Sequence, residues 1–407
     1  MDVVALGESM VTFLPSRPGR LADVPSFDRA IGGAESNVAC ALAAFGHRAR
    51  WTGRVGADGF GDHLLERIAG YGVDVSSVRR DPDRPTGVYF RTAGERGTGA
   101  HEVAYYRAGS AASAMSARNM DLEAVRAGRV LHLSGITAAL SDDCRELLRE
   151  LLAPGPGRPL VSFDVNHRPH LWRHADGGAI LRELARAADI VFVGEDEAEH
   201  AWGITGGPEA IRAALPEPGL LVVKQGARGA TAFGRGPYAG AMGSGTVGSG
   251  AVGSGAVAFG AAGFGAVNAG SADAGFAESG SVESGSAESG FTGAESVDAG
   301  SMNAGSPSWS HHEPALRTAV VATTGAGDAF AAGFLSGTLR GLPPRDLVRH
   351  GHLFAAAALT TPGDLAAPPS RDHADRLAAL DDDAWGRLRL GPGWTQADRA
   401  PKEANIP

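Results

Sequence analysis

The run Thr323-Thr324-Gly325-Ala326-Gly327-Asp328-Ala329-Phe330 puts small residues, one carboxylate and the start of an apolar stretch side by side. Small residues let the backbone turn tightly and aim successive N–H groups outward, and at a helix N-terminus such groups form an anion hole. Gly325, Ala326 and Gly327 are the candidate donors. Asp328, held in the first turn beside them, could take a proton from a hydroxyl while the hole stabilises charge on a transferring phosphoryl group. Taken alone, the same pattern is also an ordinary helix start in which Asp328 complements the helix dipole.

A second glycine-rich stretch, Gly32-Gly33-Ala34-Glu35-Ser36-Asn37, precedes a helical pattern. Two glycines allow a hinge and a close approach by a ligand, and Asn37 offers both a donor and an acceptor to hydroxyls. A plain turn ahead of a helix fits Gly32-Gly33 equally well. Asp164-Val165-Asn166-His167-Arg168 follows a buried-strand pattern, and strand ends are where open α/β sheets bind ligands. Arg168 presents a planar fork suited to a carboxylate, unless it forms a structural ion pair with Asp164 or a neighbour. Tyr105-Tyr106-Arg107 adds aromatic and cationic groups. Tyrosines and two arginines around one pocket point to an acidic ligand rather than a neutral one.

These residues need a scaffold, and residues 1 to about 235 alternate short apolar runs with helical periods. Val3–Leu6, Val130–Leu133, Leu160–Asp164, Ile190–Val193 and Leu220–Lys224 are expected strands. Ala34–Phe45, Phe60–Tyr71, Ser141–Leu152 and Gly178–Ala187 are expected helices. Strands apolar throughout and separated by helices imply a mostly parallel sheet covered on both faces. Thr86–Tyr106, with polar and aromatic residues interleaved, reads as antiparallel ribbon. Ala319–Val321 reads as a strand leading into the 323–330 motif, and Leu347–Leu359 as a helix. A short helical stretch, Asp372–Leu380, belongs to a C-terminal tail from 371 to 407 without recognisable chemistry.

Residues 236–312 are of another kind. They are nearly all Gly, Ser, Ala and Val without Lys or Arg, and from Gly245 to Gly305 a glycine recurs every five residues except at Glu295. Period five is not the collagen period, and too few large apolar residues exist to build a core. A flexible, solvated insertion within one domain is expected.

Bulk properties narrow the partners. The chain has 407 residues, 43 % hydrophobic and 20 % charged, and a formal net charge of −9 with no long basic run, which excludes nucleic acid as the main partner. Two cysteines, Cys40 and Cys144, are too few for a disulfide framework or a zinc site. No secretory signal and no apolar run near ~20 residues are visible, so a soluble cytoplasmic protein without a membrane partner is expected.

The Thr-Thr-Gly-Ala-Gly-Asp-Ala-Phe run resembles the C-terminal motif of the ribokinase-like (phosphofructokinase B) carbohydrate kinases, and Gly32–Ala39 resembles that family's di-glycine sugar-binding motif. The resemblance implies a three-layer α/β/α sandwich with a small β lid, about 9–31 and 86–107, on one kinase domain of 1–235 and 313–370. It implies ATP and Mg²⁺, Asp328 as base, and pairing of subunits into a homodimer or larger homo-oligomer. Val222–Gly229 resembles the nucleotide-side strand and turn, which assigns Lys224, Gly226, Gly229 and Thr324 to ATP. Glu197 stands where the family places a glutamate that positions magnesium-bound water, although Gly194 replaces the usual Asn. Ala322 stands where most relatives carry an Asp that helps bind a monovalent cation, so that cation is not carried over. The Tyr-Tyr-Arg-x-Gly-Ser-Ala-Ala-Ser run is similar to that of 2-keto-3-deoxygluconate kinases, which maps Tyr89, Tyr105, Arg107 and Arg168 to substrate. A fructokinase or other neutral-sugar kinase, and a sugar-acid-binding regulator without catalysis, are the alternatives.

Overall fold

A computed structural model describes residues 1–92, 102–172, 176–235 and 309–396. Eight strands form the main sheet in the order Ala49–Thr52, Val3–Leu6, Val130–Ser134, Leu160–Asp164, Ile190–Gly194, Leu220–Lys224, Ala230–Gly234 and Trp309–Glu313. The first six run parallel, and Ala230–Gly234 is antiparallel to both of its neighbours. Ile190–Gly194 is buried along its whole length, as a central parallel strand covered on both faces must be.

Helices sit on both faces of this sheet and divide the interior in two. One core gathers Val38, Leu42, Trp51, Phe192, Phe334 and Phe354 under helices Ala34–Ala44, Ala326–Arg340 and Pro344–Leu359. The other gathers Leu147, Leu151, Phe163, Leu181, Leu184 and Val193 under Asp142–Leu152 and Gly177–Ala187. Asp142–Leu152 shows why the local sequence folds this way. Ser141 accepts from the Cys144 amide at 3.1 Å as N-cap, acids fill the first turn, and Cys144, Leu147, Leu148, Leu151 and Leu152 make one buried stripe.

A second sheet of four strands, Phe27–Gly32, Met10–Pro15, Val88–Arg91 and Val103–Tyr106, stands over the carboxyl ends of the main strands. Val88–Arg91 and Val103–Tyr106 pair antiparallel, as the ribbon pattern implies, and Met10–Pro15 pairs parallel to Val88–Arg91.

Three expectations need correction. The domain resumes at Trp309 rather than 313, because residues 309–313 form the edge strand of the main sheet; the rest of the expected insertion lies outside the described residues. Ala319–Val321 is not a strand: only Arg317–Thr318 pairs, with Arg389–Leu390, while the Val321 amide bonds the Leu359 carbonyl at 2.7 Å and Val320 and Val321 stay exposed. The segment after 370 is no appendage. Its helices Arg371–Ala378 and Asp382–Arg387 bring Ala374, Ala378 and Trp385 into the first core, and Leu390 and Trp394 follow them there. The fully buried Arg349 stacks over Trp385 at 4.6 Å and donates to the Ala378 carbonyl at 3.0 Å.

Candidate active site

Strand ends, the di-glycine turn and the lid enclose a cavity of about 610 Å³ lined by residues from distant parts of the chain. Asp328 lies at its base in the first turn of helix Ala326–Arg340. The first amide in that helix to bond back is Ala329, to the Gly325 carbonyl at 2.9 Å, so the amides before it have no partner within the helix. The open set therefore begins at Gly325 and extends to Asp328 itself. Gly325 has φ 79°, and a side chain there would run into the Asp364 carbonyl. Both facts demand glycine at the turn.

Burial pushes the Asp328 carboxyl up to about 7. A hydrogen bond from Asn37 Nδ2 to its Oδ2 at 2.8 Å opposes that rise, as do the charges of Lys224 and Arg168, while Asp164 adds to it. Lys224 ends its strand with its ammonium on both Asp164 oxygens, at 2.9 and 3.0 Å, and 3.5 Å from where a Gly327 side chain would begin. Burial pulls the Lys224 ammonium down, but the charges of Asp164 and Glu197 outweigh it, so it titrates above its ordinary value. A positive charge is thus fixed beside the open amides, where a phosphoryl group would carry negative charge.

Above this floor the lid brings its cations already matched. Arg107 pairs with the buried Glu8, which also accepts from Ser110 at 2.6 Å. Arg91 pairs with the buried Asp364 at 2.9 Å, and the Tyr89 hydroxyl donates to the same carboxylate. Burial raises Tyr89 well above its ordinary value and raises Asp364 as well. Tyr105 packs on Tyr89 at 5.4 Å and stacks on His170 at 5.3 Å. Arg168, about half exposed, faces Glu197 rather than Asp164, and at 3.5 Å that pairing is loose. Of the three pocket arginines it is the one most available to an incoming carboxylate.

The cavity brings together Gly33, Asn37, Tyr89, Tyr105, Arg107, Arg168, Glu197, Lys224, Thr324, Gly325, Gly327 and Asp328. Gly32, Ala326, Gly226 and Gly229 stay outside its lining. A side chain at Gly32 would strike the Tyr89 hydroxyl and the Asp364 carboxylate, so that glycine admits the lid-to-body contact. Gly226 and Gly229 flank a single 3-10 turn, with Gly229 against the Glu313 backbone. Glu197 accepts from the Gly194 amide at 2.8 Å as a cap of its own helix. With one oxygen so held and the other toward Arg168, it suits a water-mediated contact to a metal better than a direct bond.

Asp364 and Glu8 carry much of this geometry without belonging to a recognisable pattern, whereas Asp164 opens the Asp164–Arg168 run. The only local signal for Asp364 is its place after Gly363, in the turn beyond helix Pro344–Leu359. Asn166 is the single non-glycine residue with positive φ, 42°, among the described residues, and it is buried at the cavity between Asp164 and Arg168. Its presence in a ligand-facing run is a local signal, since Asn tolerates this conformation.

Comparison with known proteins agrees with this geometry. The family model for "pfkB family carbohydrate kinase" matches residues 1–244 and 299–371. A 2-dehydro-3-deoxygluconokinase of Bacillus subtilis (strain 168) is 31 % identical over 378 residues, covering 91 % of this chain and 94 % of its own. The enzyme of that name from Thermoproteus tenax is 35 % identical over 240 residues, 58 % of this chain and 73 % of its own. Fructokinase-1 of Oryza sativa subsp. japonica is 32 % identical over 247 residues, 60 % and 75 %. The structure of a putative ribokinase II from E. coli in complex with ATP and Mg²⁺ superposes with a TM-score of 0.67 at 18 % identity, covering 92 % of this chain and 98 % of the other. With fold, cavity and family match in accord, the chain belongs to the pfkB family and is a carbohydrate kinase.

Proposed function

We propose that this kinase transfers the γ-phosphoryl group of ATP to the terminal hydroxyl of a sugar acid, 2-keto-3-deoxygluconate, giving its 6-phosphate. The observation that carries the reading is Asp328: a carboxyl raised to about 7, oriented by Asn37, beside unpaired helix amides and the Lys224 ammonium. A base with that pKa is half ionised near neutrality, which suits proton removal from a hydroxyl. Asp328 takes the hydroxyl proton as the sugar oxygen attacks the γ-phosphorus and ADP departs. The amides of the Gly325–Asp328 turn, with Lys224, then face the negative charge on the transferring group.

Mg²⁺, when bound with ATP, neutralises charge on the phosphate oxygens, and Glu197 and Asp196 at the cavity edge fit contact through water. Lys224 and Thr324 line the phosphate side. The sugar lies between Gly33, Asn37, Tyr89 and Tyr105, with Arg168 and the Nε of Arg107 toward its carboxylate; that Nε has no partner in the structure. The names of the two 2-dehydro-3-deoxygluconokinase relatives support the acid, and the fructokinase relative supports a neutral sugar as the second reading. Self-association through the outer lid face fits the exposed Tyr106 on the lid and Phe60 on the adjoining helix Gly59–Gly70.

An ADP-release assay with Mg²⁺-ATP and 2-keto-3-deoxygluconate, gluconate, fructose or ribose tests the reading. Selective turnover of the keto-deoxy acid is expected, with Asp328→Asn about 10²–10⁴-fold slower. Preference for fructose would replace the substrate. Binding without turnover of any sugar would replace the enzyme by a regulator.

A further inference from the structure

The family match leaves open how the base is held. A carboxylate at a helix start can rotate, and the charged groups that face Asp328 are Asp164 and Lys224 from strand ends and Arg168 from the turn after Leu160–Asp164. Lys224 is engaged by both oxygens of Asp164. Asn37 reaches Asp328 from a different element, the helix Ala34–Ala44, with its Nδ2 2.8 Å from Oδ2.

We propose that Asn37 is the positioning residue for Asp328, holding one carboxylate oxygen so that the other faces the substrate hydroxyl. The proposal rests on the reading of Asp328 as base. An ionised carboxylate only accepts, so the Asn37 amide nitrogen must be the atom that faces it. The Asn37 Oδ1 then points the other way; it is buried, has no partner, and its residue lines the cavity, where a sugar hydroxyl would supply the missing donor. One side chain would thus fix the base and register the sugar against it.

Asn37 is itself rigidly supported. Its amide bonds the Gly33 carbonyl at 2.8 Å. Two residues earlier the fully buried Glu35 accepts from Ser134 Oγ and Thr137 Oγ1, both at 2.7 Å, which ties the first turn of the helix to the end of a main strand. The position of Asn37 therefore follows the sheet, and Asp328 follows Asn37.

The test is the pH dependence of kcat/KM, with 2-keto-3-deoxygluconate as substrate, for wild type, Asn37→Ala, Asn37→Asp and Asp328→Asn. In Asn37→Ala the bond that lowers the Asp328 pKa is lost and no other donor replaces it. The acid limb is expected to move up by about one pH unit, with kcat/KM at pH 7 down about fivefold. Asn37→Asp sets a second carboxylate against the first, and its limb is expected to move further up, since two adjacent carboxylates resist ionising together. It also keeps the side-chain shape, so it carries the comparison if Asn37→Ala fails to melt cooperatively. A raised KM with the acid limb in place in both variants would overturn the proposal, leaving Asn37 a sugar contact only. Undiminished turnover in Asp328→Asn would instead remove the base, and the positioning role with it.

Discussion

A carboxyl whose folded-state pKa lies near 7 binds a proton on folding at any pH between its ordinary value of 3.8 and about 7. Stability therefore falls as pH rises through that window and levels off above it, because the ionised Asp328, half-buried in the cavity, is a cost to the folded state. Under the proposed role of Asp328 as base, activity runs the other way, since a base works only when ionised. Asp328→Asn is expected to melt above wild type at pH 8, with the gap narrowing as pH falls toward 4. A thermal melt across that range checks it; a variant that melts lower at pH 8 would mean the Asn37 bond outweighs burial. Asp328, Asn37 and Gly325 were legible in sequence because each sits in a short run whose spacing encodes a turn and a helix start. Glu8 and Asp364 were not, because their meaning lies in partners far away: Asp364 is 275 positions from Tyr89.

Asp364 shows how elements are joined. Its side chain takes Tyr89 and Arg91 from one lid strand, and its backbone carbonyl lies against Gly325 at the turn that begins helix Ala326–Arg340. The lid and the turn before Asp328 thus meet at one residue. Asp364→Ala leaves the Arg91 guanidinium buried and unpaired, which costs about 3–5 kcal/mol. Denaturant unfolding should read that loss, and a raised sugar KM should accompany it because the lid loses its hold on the body. An unchanged unfolding midpoint would show the contact to be dispensable. At this scale the sequence was read well wherever periodicity spoke. The expected strands Val3–Leu6, Leu160–Asp164 and Leu220–Lys224 stand as expected. Local pattern fails where packing overrides it. Val320 and Val321 have strand-forming side chains, yet their backbone is drawn to the end of Pro344–Leu359. The C-terminal segment looks like a tail until Arg349 and Trp385 are seen to need each other.

Over the whole molecule, the unusual segment falls at a point where the fold tolerates it. Gly234 and Trp309 are directly paired in the antiparallel edge of the main sheet, so residues 235–308 connect two neighbouring strands. The family model skips residues 245–298, and the period-five Gly/Ser/Ala sequence there has too few large apolar side chains for a core. Closing a loop costs free energy that grows only with the logarithm of its length, so a long connection weakens the sheet edge without breaking it. Replacing residues 236–308 by Asn-Gly leaves a three-residue hairpin loop with Arg235, a length that antiparallel neighbours accept. The shortened chain is expected to keep kcat and KM, since it retains both strands that the segment joins and every residue named at the cavity. It should also gain on the order of 2–3 kcal/mol from the shorter closure, read as a higher midpoint in denaturant. Loss of folding or of turnover in that chain would show that the Gly/Ser/Ala sequence does more than join two strands.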